Sequence, residues 1–201
     1  MYTGIVAGTA PVVSINDEGE IRSIVIDLKG YDDNLKIGAS VSIEGVCMTV
    51  VSIEGTLVGF DAIEETLSRT TLGSLRPKDL VNIERSMRVG DEIGGHVLSG
   101  HIFTVARILE REEVGESLNL LIENPSDASI FIMEKGFVAI DGISLTVGEV
   151  SESGFGLHII PETKRVTTIR NKLAGDSVNL EVDSRTQAVV ETVMRKFGER
   201  K

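Results

Sequence analysis

The chain has 201 residues, 41% hydrophobic and 25% charged, with a net charge of −11 and a pI of about 4.8. That acidity argues against nucleic acid as a partner, because phosphate binding draws on clustered Lys and Arg. The single cysteine, Cys47, excludes an intramolecular disulfide and a cysteine metal cluster, and fits a reducing compartment.

Residues 1–13, MYTGIVAGTAPVV, form a short apolar run broken by Gly4, Gly8 and Pro11, which suits a strand with a bulge. Asn16–Gly19 reads as a turn. Ile21–Leu28 alternates apolar and polar like a half-buried strand. Val41–Glu54 is β-branched and reads as one or two strands, Gly55–Ile63 as another. Thr66–Leu75 is rich in Thr and Ser, and Pro77–Asp79 turns into the strand Leu80–Arg85. Met87–Gly95 is polar and linker-like. His96–Leu109 restarts the strand pattern, with a turn at Val114–Ser117 and a strand at Leu118–Ile122. Ser126–Met133 is a candidate short helix, and Gly136–Val150, Phe155–Ile160 and Ser177–Val182 continue the strands. In the tail, Val189, Val190, Val193, Met194 and Phe197 make one apolar helical stripe, capped by Asp183 or Ser184. Lying outside the repeat described next, that stripe suits an oligomer contact.

The chain repeats itself. Ala39–Val50, ASVSIEGVCMTV, falls on Gly136–Val147, GFVAIDGISLTV, at an offset of 97. Ile43 meets Ile140, Gly45 meets Gly142 and Thr49 meets Thr146, but Cys47 meets Ser144. The same offset carries Thr66 to Thr163 and Glu84 to Glu181, and at the front Gly4 to His101 and Ile5 to Ile102, with no insertion between anchors. Two copies of about 90–100 residues are two small domains, each able to bury a core. Many short strands with regular turns and little helix read as two small β-barrels.

Three histidines occur, and two of them, His96 and His101, sit in GGHVLSGH, where glycines allow close approach of a ligand. Five positions apart, with no cysteine or H-E-x-x-H nearby, they do not suggest a metal. Cys47 and Ser144 are the candidate nucleophile or polar-contact positions. No G-x-S-x-G elbow, Walker motif or G-x-G-x-x-G is present. The residues alone thus give two homologous barrels, each with a polar, glycine-rich patch for a small polar ligand. No leader precedes Tyr2 and no apolar run nears the roughly 18 residues of a membrane helix, so a cytoplasmic location and no membrane partner are expected.

These residues resemble the trimeric bacterial riboflavin synthase family along essentially the whole chain. MYTGIV is similar to the family's MFTGIV, and GVCMTV, DEIGGHVLSGHI, KGFVAIDGISLTVGEV, HIIPETKRVTT and DSRTQAVVETV stand in the family's order. The resemblance implies an all-β fold of two tandem six-stranded Greek-key barrels, 1–93 and 94–183, with a C-terminal α-helix over 184–201 that holds a homotrimer. It implies exchange of a four-carbon unit between two molecules of 6,7-dimethyl-8-ribityllumazine, with no cofactor and no metal. The products are riboflavin and 5-amino-6-(D-ribitylamino)uracil. Association with lumazine synthase is a further implied partnership.

Carried over, the substrate contacts on the amino barrel are Gly4, Ile5, Val6, Cys47, Met48 and Thr49, with Asp61, Ala62, Ile63, Glu64, Glu65 and Thr66. On the carboxyl barrel they are Gly100, His101, Ile102, Lys135, Ser144, Leu145 and Thr146, with His158, Ile159, Ile160, Pro161, Glu162 and Thr163. Ser144 and Thr146 are expected to polarise one ring and Cys47 to contact the other. His101 is expected to move a proton, and Asp183 to orient a neighbour. Tyr2 departs from the family's Phe, so its added hydroxyl must be solvated or bonded. The resembling non-catalytic class is the lumazine- or flavin-binding antenna proteins. A flavin-reductase-like barrel would need a nicotinamide domain, for which the chain has no fingerprint.

Overall fold

Two Glu/Asp-Gly dipeptides set the fold's tightest corners. Glu44 and Gly45 have φ of 49° and 82°, and Asp141 and Gly142 have 47° and 82°. Two consecutive positive values make the type I′ turn whose twist matches antiparallel strands. In the computed structural model, which describes residues 1–198, these turns join β3 (Ser40–Ile43) to β4 (Val46–Glu54) and β9 (Phe137–Ile140) to β10 (Ile143–Val150). Val41–Glu54 is therefore two strands.

The first barrel adds β1 (Gly8–Glu18), β2 (Ile21–Asp27), β5 (Leu57–Ile63) and β6 (Leu80–Arg85), closed in the order β1-β2-β5-β4-β3-β6. The second adds β7 (Thr104–Val114), β8 (Ser117–Glu123), β11 (Gly154–Ile159) and β12 (Ser177–Val182), closed as β10-β11-β8-β7-β12-β9. Within each, three hairpin-linked strands and a fourth returning beside them make the Greek key. Closure depends on bulges. β1 pairs β6 through Gly8–Pro11, then shifts register between Val12 and Ser14 and continues on β2. β4, β7 and β10 switch partners at corresponding irregularities. Each bulge bends its strand from one side of the barrel to the other.

Several elements differ from the sequence expectation. β1 starts at Gly8, not Met1, and runs through Asn16–Glu18, because the Asp17–Arg22 pair (2.7 Å) extends the β1–β2 ribbon to a turn at Gly19. Residues 96–103 are irregular, and strand resumes at Thr104. Ser126–Met133 holds only a 3-10 turn, Ser129–Phe131. Two short helices, α1 (Glu64–Arg69) and α2 (Pro161–Val166), occupy stretches given no helix. The tail is helix α3 (Ser184–Gly198). Asp183 starts it, with Oδ2 accepting from the Thr186 N–H at 3.0 Å, and 199–201 lie outside the described residues.

The repeat frame also needs a correction. β1 and β2 match β7 and β8 at an offset of 96, whereas β3 onward match at 97. The second copy is one residue longer between its second and third strands, so an insertion is required after all.

Each barrel has its own apolar core, but the chain's start crosses over. Val6 is buried in the second barrel's core with Ile140, Leu145 and Ile159. Ile102 packs against the first barrel's core. Burying one such side chain contributes about 1.5–3 kcal/mol, so Val6→Asp should unsettle the second barrel although Val6 begins the first. Reciprocal bonds join the barrels. Asn82 Nδ2 donates to Asp141 O (2.9 Å) and Asn179 Nδ2 to Glu44 O (2.8 Å). Asn82 Oδ1 accepts the Thr168 N–H and Asn179 Oδ1 the Thr71 N–H, both at 2.8 Å. Residue i meeting j while j's equivalent meets i's equivalent is the pattern of a two-fold contact.

Candidate functional site

The type I′ turns place Cys47 and Ser144 at equivalent points, two residues past Gly45 and Gly142. Cys47 pairs across its hairpin with Ser42, and Ser144 with Ala139. Each is backed by a segment from the opposite half of the chain. The Ser144 N–H donates to Gly4 O (2.9 Å), and the Cys47 N–H to Gly100 O (2.8 Å). Gly4 and Gly100 have φ of 74° and 79°. A Cβ on Gly4 would lie 2.5 Å from Ser144 Cβ, and one on Gly100 2.6 Å from Cys47 Cβ. Only glycine allows this approach.

The side-chain partners differ as the residues do. The Tyr2 hydroxyl donates to Cys47 Sγ at 3.2 Å. Tyr2 is buried, and burial, then the Cys47 sulfur, push its phenol well above the usual range. The hydroxyl is thus bonded rather than solvated. Ser144 Oγ lies 2.7 Å from His96 Nδ1. The His96 ring stacks on Phe137 with centroids 5.1 Å apart. His96 is buried, and its Nε2 has no hydrogen-bond partner. Burial pushes its pKa below the ordinary 6.5, Arg185 adds to that, and the Asp183 charge opposes it only in part. Burial works against an ionised Asp183, but the Thr186 hydroxyl and N–H and the His96 ring outweigh it and hold the carboxyl below its usual value. Neutral imidazole bonded to a hydroxyl, with the Asp183 charge within electrostatic reach, is a group that can take and return a proton.

A cleft of about 260 Å³ opens beside this pair, lined by Lys135, Leu145, Thr146, His158, Ile160 and Thr163 as well as Ser144. Seven expected contacts thus come together. Of the remaining carboxyl-side residues, Ile159 faces the core, whereas Pro161 and Glu162 are exposed at the start of α2, Glu162 paired to Arg165. Thr49, Asp61, Ile63, Glu64 and Glu65 are exposed on the corresponding face of the first barrel and Thr66 half-buried, while Met48 and Ala62 are core. Asp61 Oδ1 accepts from the Ser23 hydroxyl at 2.7 Å.

One expectation is corrected. The resemblance places Gly4, Ile5 and Val6 on the amino-barrel site and Gly100, His101 and Ile102 on the carboxyl-barrel site, but the crossover reverses them. Gly4 sits against Ser144 and Gly100 against Cys47. His101 is exposed and lines a separate cleft with Arg69, Asp127 and Gln187, and the imidazole bonded to Ser144 is that of His96. The sequence held a signal for the equivalence of the two segments, since Thr3-Gly4 and Ser99-Gly100 match as hydroxyl–glycine pairs 96 apart.

The chain matches the family described as lumazine binding domain twice, over residues 3–86 and 99–183. It is 47% identical to the riboflavin synthase of Escherichia coli (strain K12), covering 100% of this chain and 95% of that one. Against the riboflavin synthase of Chlamydia muridarum (strain MoPn / Nigg) the identity is 38%, covering 100% and 98%. Among solved structures, LumP complexed with riboflavin superposes with a TM-score of 0.85 at 26% identity, over 92% of this chain and all of that one. LumP complexed with 6,7-dimethyl-8-(1′-D-ribityl) lumazine gives 0.83 at 25% identity over the same shares.

Proposed function

This chain belongs to the riboflavin synthase family, and from that membership we infer how its two barrels divide the work. It is an enzyme, a transferase that converts two molecules of 6,7-dimethyl-8-ribityllumazine into riboflavin and 5-amino-6-(D-ribitylamino)uracil. We propose one lumazine site per barrel: a carboxyl-side site built from Gly4–Val6, Lys135, Ser144–Thr146 and His158–Thr163, and an amino-side site built from Cys47–Thr49, Asp61–Thr66 and Gly100–Ile102. The observation that carries this reading is the hydrogen bond of His96 to Ser144, where Ser144 lines a cleft formed largely by residues expected to hold substrate.

The reaction requires a proton to leave a lumazine C7 methyl, a nucleophile to add to the partner ring, and the two rings to meet. Delocalisation of the C7 anion makes the first step feasible near neutrality. With its proton on Nε2, His96 accepts at Nδ1 from the Ser144 hydroxyl and raises the electron density on Oγ. Thr146 supplies a second hydroxyl to orient the ring. Cys47, held by Tyr2, lines the other ring's wall. Positioning two bound rings face to face contributes several kcal/mol toward carbon–carbon bond formation.

The two sites meet across a subunit contact in this reading. Apolar side chains stand exposed near both: Val51 and Ile63 on the first barrel, Phe137 and Ile160 on the second. The helix α3 leaves Val189, Val193, Met194 and Phe197 exposed while Val190 packs on the second barrel's core. This face suits the homotrimer. Among the described residues no helix is long and apolar enough to cross a membrane, and we place the enzyme in the cytoplasm. We also propose association with lumazine synthase, which cosedimentation of the two purified proteins tests. The decisive experiment adds lumazine alone to the purified protein and follows riboflavin absorbance. Binding without riboflavin would leave the antenna reading instead.

A further inference from the structure

We propose that Glu84 and Glu181 are crossed positioning residues: the carboxylate of each barrel fixes the backbone that sets the reactive side chain of the other. Glu84, on β6 of the first barrel, is buried and accepts the Thr3 N–H (2.7 Å), the Thr3 hydroxyl (2.8 Å) and the Gly4 N–H (3.1 Å). Gly4 O then accepts the Ser144 N–H on β10 of the second barrel. Glu181, on β12 of the second barrel, is equally buried and accepts the Ser99 N–H (2.7 Å), the Ser99 hydroxyl (2.7 Å) and the Gly100 N–H (3.1 Å). Gly100 O accepts the Cys47 N–H on β4 of the first.

A carboxylate is the acceptor these positions call for. Each segment turns through a left-handed glycine and presents two N–H groups and one hydroxyl to a single point. An ionised carboxylate satisfies all three with charge-assisted bonds, which are about twice as strong as neutral ones. Neither carboxylate touches Ser144 or Cys47. Each acts through one glycine carbonyl, so the effect of losing it should appear on the far barrel.

The variants Glu84→Gln and Glu181→Gln test this in the full-length protein. Glutamine keeps one acceptor oxygen for the hydroxyl residue but turns an NH₂ toward the glycine N–H, two donors face to face. Losing a bond to a buried charged acceptor should speed local amide exchange about tenfold or more. Glu84→Gln should accelerate exchange at the Ser144 amide and leave Cys47 slow; Glu181→Gln should do the reverse. Glu84→Gln should also lower kcat about tenfold at nearly constant KM, because reactive geometry is disturbed more than binding.

The kinetic readout rests on the riboflavin synthase reading, whereas amide exchange does not, so the two can fail separately. If a Gln variant does not fold, Thr3→Ala or Ser99→Ala removes only one of the three bonds and should act in the same direction at smaller size. Acceleration at the same barrel's residue, at both residues alike, or at neither overturns the proposal. So does accelerated exchange at Ser144 with kcat and KM unchanged.

Discussion

Ser144 depends on a histidine 48 positions upstream in an irregular segment. If Oγ polarises the substrate with His96 as its base, Ser144→Ala should lower kcat about 10²-fold while lumazine binding changes little. Equal losses in both would refute the role. The pH dependence follows from His96. Its pKa lies below 6.5 because it is buried, and the neutral form is the working one. Activity should therefore persist as pH falls to 6.5 and decline only below it. An acid limb centred above 6.5 in the kcat profile would show that another group titrates. The choice between His96 and His101 was not legible in the sequence, because each follows a glycine and the strand expected over His96–Leu109 begins only at Thr104, beyond both. Cys47 and Ser144 stand out in the sequence, because the duplicated frame sets a thiol in one copy against a hydroxyl in the other.

At the level of elements, strands were read well where alternation and turn chemistry agreed. Ile21–Leu28 and Leu80–Arg85 are such cases, and the Glu44-Gly45 and Asp141-Gly142 corners carry a hairpin signal that could have settled Val41–Glu54 as two strands. α1 and α2 were missed for a physical reason. Six residues are too few to be helical on their own propensity, and their Thr content points elsewhere. They form because each must fold back from a strand end, their last turns bonded by Thr70 Oγ1 to Thr66 O and Thr167 Oγ1 to Thr163 O, both 2.7 Å. α3 was legible from its stripe and cap. Its exposed apolar face gives a direct test of the proposed homotrimer: if that face is the contact, Val193→Glu should shift sedimentation toward monomer, with the barrels still folded by circular dichroism. Unchanged sedimentation would remove α3 from the proposed contact.

The whole molecule is joined through an ionisable cluster. Glu44 and Asp141 are buried where the barrels meet, with Lys172 Nζ 3.9 Å and 3.4 Å from them. Burial, and then the Asp141 charge, push Glu44 up to about 8. Burial likewise raises Asp141. Lys172 is raised too, its two carboxylate neighbours overcoming a burial penalty. Between an unfolded value of 4.5 and a folded value of about 8, the native state keeps a proton that the unfolded chain releases. Stability should therefore fall as pH rises through that window. Glu44→Gln keeps an acceptor for the Asn82 N–H and Thr168 hydroxyl without titrating, so its melting temperature should decline less from about pH 5 to pH 8 than the parent's. Parallel declines would count against Glu44 as the source.

The exchanged start of the chain bears on how the protein can be handled. Met1 is exposed, yet Tyr2 through Gly4 are already walled in, so an affinity tag fused ahead of them would press on a chamber belonging to the other end of the polypeptide. Cutting the gene at the linker would likewise send the carboxyl half out without the strip that closes it. For this architecture the halves are separate lobes only on a linear map.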